Sequence, residues 1–183
     1  GNTWAKAGSA NFDYVSSIAI NGTSIFAGCN QGVFLSTDTG STWVQDTIGL
    51  TNKYVNSLAV KGSTIFAGTG AGVFQSVNNG NSWTAVNKGL PISFIDSNVV
   101  PVLSLTILGS DIFAATNQGI YLSSNDGNLW VPMNNGLPYS NRFPLTTSGK
   151  TIFVGIYGKG VFLSPNNGKN WYSANTGLVS GSV

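Results

Sequence analysis

Apolar residues in this chain come in short runs bounded by Gly, Asn and Ser, and no stretch sustains the three-to-four-residue spacing of a helix. The runs recur in a fixed order. Ile18-Ala19-Ile20 is matched by Leu58-Ala59-Val60, Leu105-Thr106-Ile107 and the weaker Leu145-Thr146-Thr147. A second set is Ile25-Phe26-Ala27-Gly28, Ile65-Phe66-Ala67-Gly68, Ile112-Phe113-Ala114-Ala115 and Ile152-Phe153-Val154-Gly155. A third is Val33-Phe34-Leu35-Ser36, Val73-Phe74-Gln75-Ser76, Ile120-Tyr121-Leu122-Ser123 and Val161-Phe162-Leu163-Ser164. A tryptophan opens the fourth run, and the tryptophans Trp4, Trp43, Trp83, Trp130 and Trp171 stand 39, 40, 47 and 41 residues apart.

Runs of this length, rich in β-branched and aromatic residues, predict strands. Asn21-Gly22, Lys61-Gly62, Leu108-Gly109 and Ser148-Gly149 separate the first from the second and suit tight hairpins. The unit is then a four-stranded antiparallel meander repeated every 40-odd residues, the period of a propeller blade. The expectation is an all-β chain, a β-propeller or propeller fragment over residues 1–183. Its four complete blades fall near 5–44, 45–84, 85–131 and 132–172, and Trp4 supplies one extra N-terminal strand. Gly177-Leu178-Val179-Ser180 repeats the inter-blade Gly49-Leu50-Thr51-Asn52. Five tryptophan strands against four full blades point to part of a larger propeller, to chains that associate to complete one another's ring, or to an open arc with sticky edges.

The turn between the third and fourth strands carries the most specific signal. Ser36-Thr37-Asp38-Thr39-Gly40-Ser41-Thr42-Trp43 has the form S-x-D-x-G-x-T-W. A carboxylate at Asp38 is placed to accept backbone N–H groups in a tight turn, Gly40 permits the reversal, and Trp43 packs beneath the hairpin. The related positions are Asn78, Gly80 and Trp83, then Gly127 and Trp130, then Asn166, Gly168 and Trp171, with Asn125-Asp126-Gly127 moving the acid one place. With these turns the chain resembles the Asp-box (BNR-like) β-propeller superfamily over essentially its whole length. That group includes sialidases, xyloglucan-degrading hydrolases, the sortilin ectodomain and the photosystem II assembly factor family. In texture it is similar to exported bacterial repeats of the form S-x-N-N-G-x-x-W, seen here as Ser76 to Trp83. The resemblance implies a fold and leaves the activity open.

Composition narrows the activity. A sialidase resemblance would imply an arginine triad and a glutamate partner, yet Arg142 is the one arginine and the chain has no glutamate. With no histidine, neither a Ser-His triad nor a histidine metal site can form. The loops Asp38-Thr39-Gly40 and Asn125-Asp126-Gly127 look like pieces of calcium loops but lack converging acids, so no metal and no cofactor is expected. Other glycosidases need two carboxylates across the scissile bond. Of the six aspartates, Asp38 and Asp126 belong to turns, Asp111 to a hairpin, and Asp13 and Asp96 lie in connections that lead into first strands. Loop aspartates more often shape turns than catalyse, so a non-enzyme is expected. Cys29, the single cysteine, closes a second strand as a packing residue.

Charged residues are 8% of the chain and the formal net charge is +2 without a basic run, which argues against nucleic-acid binding. No apolar stretch is long enough for a transmembrane helix. A charge-poor surface rich in Asn, Thr and Gly leans towards a secreted or cell-surface protein. The second-to-third loops and the inter-blade connections share one end of the propeller and vary in length, and loops on a rigid scaffold are where ligands bind. They carry Tyr14, Tyr54, Phe94, Asp96, Tyr139, Arg142, Tyr157 and Lys159, our candidate ligand contacts. Aromatic faces beside amide and hydroxyl groups suit sugars, so a glycan or cell-surface ligand is the expected partner. The alternative is a noncatalytic propeller fragment of a polysaccharide-degrading glycoside hydrolase.

Overall fold

The computed structural model describes residues 14–93 and 97–178. The Trp4 strand, Asp13, Phe94 and Asp96 lie outside the described residues. Among the described residues there is no helix, and the strands form four antiparallel sheets of four. The first holds β1 (Val15–Asn21), β2 (Ser24–Cys29), β3 (Gly32–Ser36) and β4 (Val44–Asp46). The second holds β5 (Val55–Lys61), β6 (Thr64–Thr69), β7 (Gly72–Ser76) and β8 (Thr84–Ala85). The third holds β9 (Val102–Leu108), β10 (Asp111–Thr116), β11 (Gly119–Ser123) and β12 (Val131–Pro132). The fourth holds β13 (Leu145–Ser148), β14 (Thr151–Ile156), β15 (Gly160–Ser164) and β16 (Tyr172–Ser173).

Strand order follows chain order in every sheet, so each is a simple meander, here called a blade. Asn21 pairs with Ser24 and Lys61 with Thr64, which leaves two-residue hairpin loops. Gly22 and Gly62 open those loops at φ of 60° and 59°, a conformation that costs glycine no Cβ clash. The first strand of each blade packs beside the first strand of the next, from β1 to β5, β9 and β13. These strands line the axis.

Three apolar clusters hold the blades together, one at each junction. At the first, Phe26, Val33 and Leu50 of one blade meet Leu58, Ile65, Phe74 and Trp83 of the next. Phe66, Val73 and Leu90 meet Leu105, Ile112, Tyr121 and Trp130 at the second. At the third, Phe113 and Ile120 meet Phe143, Ile152, Val154 and Trp171. Every interior blade is therefore buried on both faces. A trailing face rich in Phe and Val packs against a leading face rich in Leu, Ile and Trp.

Polar links repeat with the same register. The hydroxyls of Ser17, Ser57 and Ser104 accept from the backbone N–H of Leu58, Leu105 and Leu145 at 2.9, 3.0 and 3.1 Å. The tryptophan amides of Trp83, Trp130 and Trp171 donate to the carbonyls of Ile48, Lys88 and Asn135 in the preceding blade at 2.8, 2.9 and 3.0 Å. Such bonds satisfy backbone groups that burial between sheets would otherwise strand. The next residues, Gly49, Gly89 and Gly136, have positive φ and leave no room for a Cβ beneath the same tryptophan's carbonyl.

Candidate functional site

The turn between third and fourth strands builds the same cradle four times. Asp38 accepts from the Ser36 hydroxyl and the Thr42 amide, each at 2.8 Å, and from the Thr42 hydroxyl at 2.6 Å. Those bonds, the Thr42 hydroxyl foremost, hold its carboxyl down to about 2. Asn78, Asn125 and Asn166 take the same place with amide oxygens. Ser36, Ser76, Ser123 and Ser164 each accept from the glycine amide four residues on, at 2.8 to 2.9 Å. In the third blade Asn125 fills the cradle, which frees Asp126 to pair with Lys61 of the second blade at 2.5 Å. The turn ends are thus occupied with local bonding and blade-to-blade contacts.

The opposite end presents clefts. One of about 330 Å³ is lined by Tyr14, Ser16, Asn30, Tyr54, Val55 and Asn56. It shares Tyr14, Ser16 and Asn56 with a cavity of about 500 Å³, where the starts of all four first strands converge and Arg142 and Pro144 contribute. Arg142 and Pro144 in turn line a third cleft of about 440 Å³ with Asn141, Gly155 and Tyr157. These three clefts share walls and form a continuous groove across the axis. A fourth, about 530 Å³, lies between the Thr51-Asn52 connection and the 92–101 insertion. There Ile92 bridges to Val99, and the Ser93 amide donates to Asn98 at 2.7 Å.

Local bonding positions the groove residues. The Tyr54 amide donates to Asn52 Oδ1 and its carbonyl accepts from Gly70, both at 3.0 Å, which leaves the ring 66% exposed. The buried Ser140 hydroxyl donates to the Arg142 carbonyl at 2.8 Å, while the Arg142 amide donates to that hydroxyl at 3.2 Å. Asn30 Oδ1 is buried in the groove wall and has no hydrogen-bond partner among the described residues. That is an unmet acceptor between two tyrosines.

Of the candidate contacts, Tyr14, Tyr54, Arg142 and Tyr157 come together in this groove. Tyr139 and Lys159 are exposed but line none of the four clefts, and Phe94 and Asp96 lie outside the described residues. Sequence reasoning missed Asn30, one polar loop residue among many, and Asn56, a polar residue at the start of β5. It also missed Asn87, Asn134 and Asn175, whose Oδ1 atoms accept from the amides of Val73, Ile120 and Val161 at 2.7 Å. Their signal was present: each stands four residues after a tryptophan. None of the described aspartates lines these clefts, and the described residues hold no cluster of three metal-ligating side chains. Among them, no helix is long and apolar enough to cross a membrane.

No family model and no curated protein matches the chain. Solved structures do. The extracellular domain of a hybrid two-component system from B. thetaiotaomicron aligns over 94% of this chain and 24% of its own, at 17% identity and TM-score 0.72. An ancestral GH74 enzyme aligns over 91% of this chain and 24% of its own, at 22% identity and TM-score 0.70. YCF48 bound to D1 peptide aligns over 90% and 56%, at 17% identity and TM-score 0.60. The chain has the β-propeller fold. It spans about a quarter of the first two proteins it matches, so its four blades correspond to part of each. At these identities the likeness is one of fold, and activity has to be argued from the groove.

Proposed function

We propose that this propeller is a non-enzymatic, extracellular binding module that holds a glycan in the loop-rich groove. The observation that carries the reading is the Tyr14–Tyr54 cleft with Asn30 Oδ1, which has no hydrogen-bond partner among the described residues, in its wall. Two exposed rings offer faces on which the C–H surface of a sugar stacks, and the amide oxygen takes a sugar hydroxyl. Asn56 and Arg142 extend the polar lining towards the axis, where a longer oligosaccharide would continue. Among the described residues, Arg142 is the only ionisable side chain lining the groove apart from tyrosine.

A glycan array followed by titration tests this. Saturable binding to at least one oligosaccharide is expected, weakened about tenfold by Tyr54→Ala, in line with the loss of one aromatic contact. A flat array, or binding indifferent to Tyr54→Ala and Asn30→Ala, rules the reading out.

A second reading is that the four blades are a noncatalytic stretch of a polysaccharide-degrading hydrolase. What supports it is the alignment with 24% of a GH74 enzyme. Sequencing and assaying the native chain for β-glucan hydrolysis separates the two. Activity abolished by Asp13→Ala or Asp96→Ala within these residues would overturn the non-enzymatic assignment.

A further inference from the structure

An asparagine followed by glycine is prone to spontaneous deamidation, because the glycine nitrogen, unhindered by a Cβ, attacks the side-chain carbonyl carbon of the asparagine before it. The chain has four such pairs, Asn21-Gly22, Asn79-Gly80, Asn135-Gly136 and Asn167-Gly168. They are alike in sequence and unlike in structure.

Asn79 and Asn167 each follow the asparagine of a turn cradle, at φ of 57° and 56°. The attacking nitrogen is engaged there: the buried amides of Gly80 and Gly168 donate to the hydroxyls of Ser76 and Ser164 at 2.9 Å. The side chains are held as well. Asn79 Nδ2 donates to the Ser24 hydroxyl at 3.4 Å and Asn167 Nδ2 to Asp111 at 2.8 Å, both in the preceding blade. Asn135 is exposed but pinned at the third junction, where its carbonyl accepts from the Trp171 amide at 3.0 Å and its Nδ2 donates to Asn170. Turning the Asn135-Gly136 peptide towards the side chain breaks the first of these, and moving the side chain breaks the second.

Asn21-Gly22 has no such restraint. Gly22 and Thr23 are the exposed two-residue loop of the β1–β2 hairpin. Among the described residues no hydrogen bond holds the Asn21 side chain or the Gly22 amide, and none lies within 4 Å of where a Gly22 Cβ would be. The matching hairpins carry Lys61, Leu108 and Ser148 before their glycine, so the first blade alone puts an asparagine there.

We infer that Asn21 is the residue at which the folded protein deamidates, and that the cradle serines Ser76 and Ser164 shield Asn79 and Asn167. Hydroxide takes the Gly22 amide proton, the nitrogen bonds to Asn21 Cγ, and ammonia leaves as the five-membered succinimide closes. Water then adds to either ring carbonyl and opens the ring to aspartate or isoaspartate, so one water is consumed for each ammonia released. Either product replaces a neutral amide with a carboxylate and lowers the formal net charge of +2 by one. Isoaspartate also lengthens the backbone at the Asn21–Ser24 pair that closes the hairpin.

The native chain is incubated in mildly alkaline buffer beside the same chain unfolded in urea, and peptide mapping by mass spectrometry follows the one-dalton gain at each of the four asparagines. In urea the four should react at similar rates. In the native chain Asn21 should react first, with Asn79, Asn135 and Asn167 at least about tenfold slower, since two hydrogen bonds must open beforehand at each. Ser76→Ala should speed Asn79 and leave Asn167 slow, and Ser76→Thr, which keeps a hydroxyl, should hold Asn79 near its native rate. Native Asn21 that reacts no faster than the other three overturns the assignment. Asn79 unmoved by Ser76→Ala, or Asn79 and Asn167 sped alike, overturns the shielding.

Discussion

A Cβ on Gly136 would lie 2.5 Å from the carbonyl oxygen of Trp171, in the next blade. Gly136 also has φ of 89°, so alanine there meets both backbone strain and a backbone atom that cannot move aside. Gly177 has nearly the same φ, 86°, and no atom of the described residues lies within 4 Å of where its Cβ would be. Gly136→Ala should therefore destabilise by roughly 3 kcal/mol or more, and Gly177→Ala by roughly 1–2 kcal/mol from strain alone. For a chain of this size each kcal/mol moves the melting temperature by about 2–4 °C, so thermal melts of the two variants resolve the difference.

Asp38 ties low-pH stability to one turn. Its carboxyl is held down to about 2 by Thr42 and Ser36, against 3.8 when free. In the window between those values the unfolded chain binds the proton more readily, so stability rises with pH there. The contribution is complete above about pH 4 and fades as pH falls through about 2. Asp38→Asn should flatten that part of the profile while preserving the fold, since Asn78 and Asn166 already serve in other blades. Urea melts between pH 2 and 5 check the slope, which should not differ in sign from this account.

Asn134 Oδ1 lies 2.7 Å from the Ile120 amide, and Ile120 is fully buried. Asn134→Ala strands that N–H and should cost about 1–3 kcal/mol. Asn134→Asp keeps an acceptor in place and should cost less. Denaturant midpoints for the pair provide the comparison.

Thr39 stands at φ of 58°, a position filled by Asn79, Asp126 and Asn167 in the other blades. Asn and Asp tolerate the left-handed region, but a β-branched residue does not. Thr39→Asn should stabilise the chain by about 1 kcal/mol. A melt that drops instead would mean that the threonine hydroxyl, which donates to the Asp38 carbonyl at 2.7 Å, outweighs the strain.

The blades were legible because each strand's own residues announce it. Ile-Phe-Ala-Gly is apolar, short and bounded by turns, and Ser-x-Asp/Asn-x-Gly closes its bonds within five residues. The groove was half legible. Tyr14, Tyr54, Arg142 and Tyr157 stood out as aromatic or charged residues on loops sharing one end, whereas Asn30 acquired meaning only when its oxygen was found buried without a partner. Tyr139, equally conspicuous in the sequence, is 89% exposed and lines none of the four clefts.

The sequence by itself determined the repeating strand order, the turn chemistry and the absence of the residues that histidine, glutamate or multiple-arginine catalysis would require, because these depend on neighbours a few positions away. Only the tertiary structure decided which faces are buried, because burial depends on residues some 40 positions distant. Ile18 and Leu58 read alike in the sequence, yet one is sealed between blades and the other remains in solvent. The same holds for Gly136 and Gly49, whose positive φ the turn sets locally but whose close approach to Trp171 and Trp83 of the following blade only the packing of blades decides.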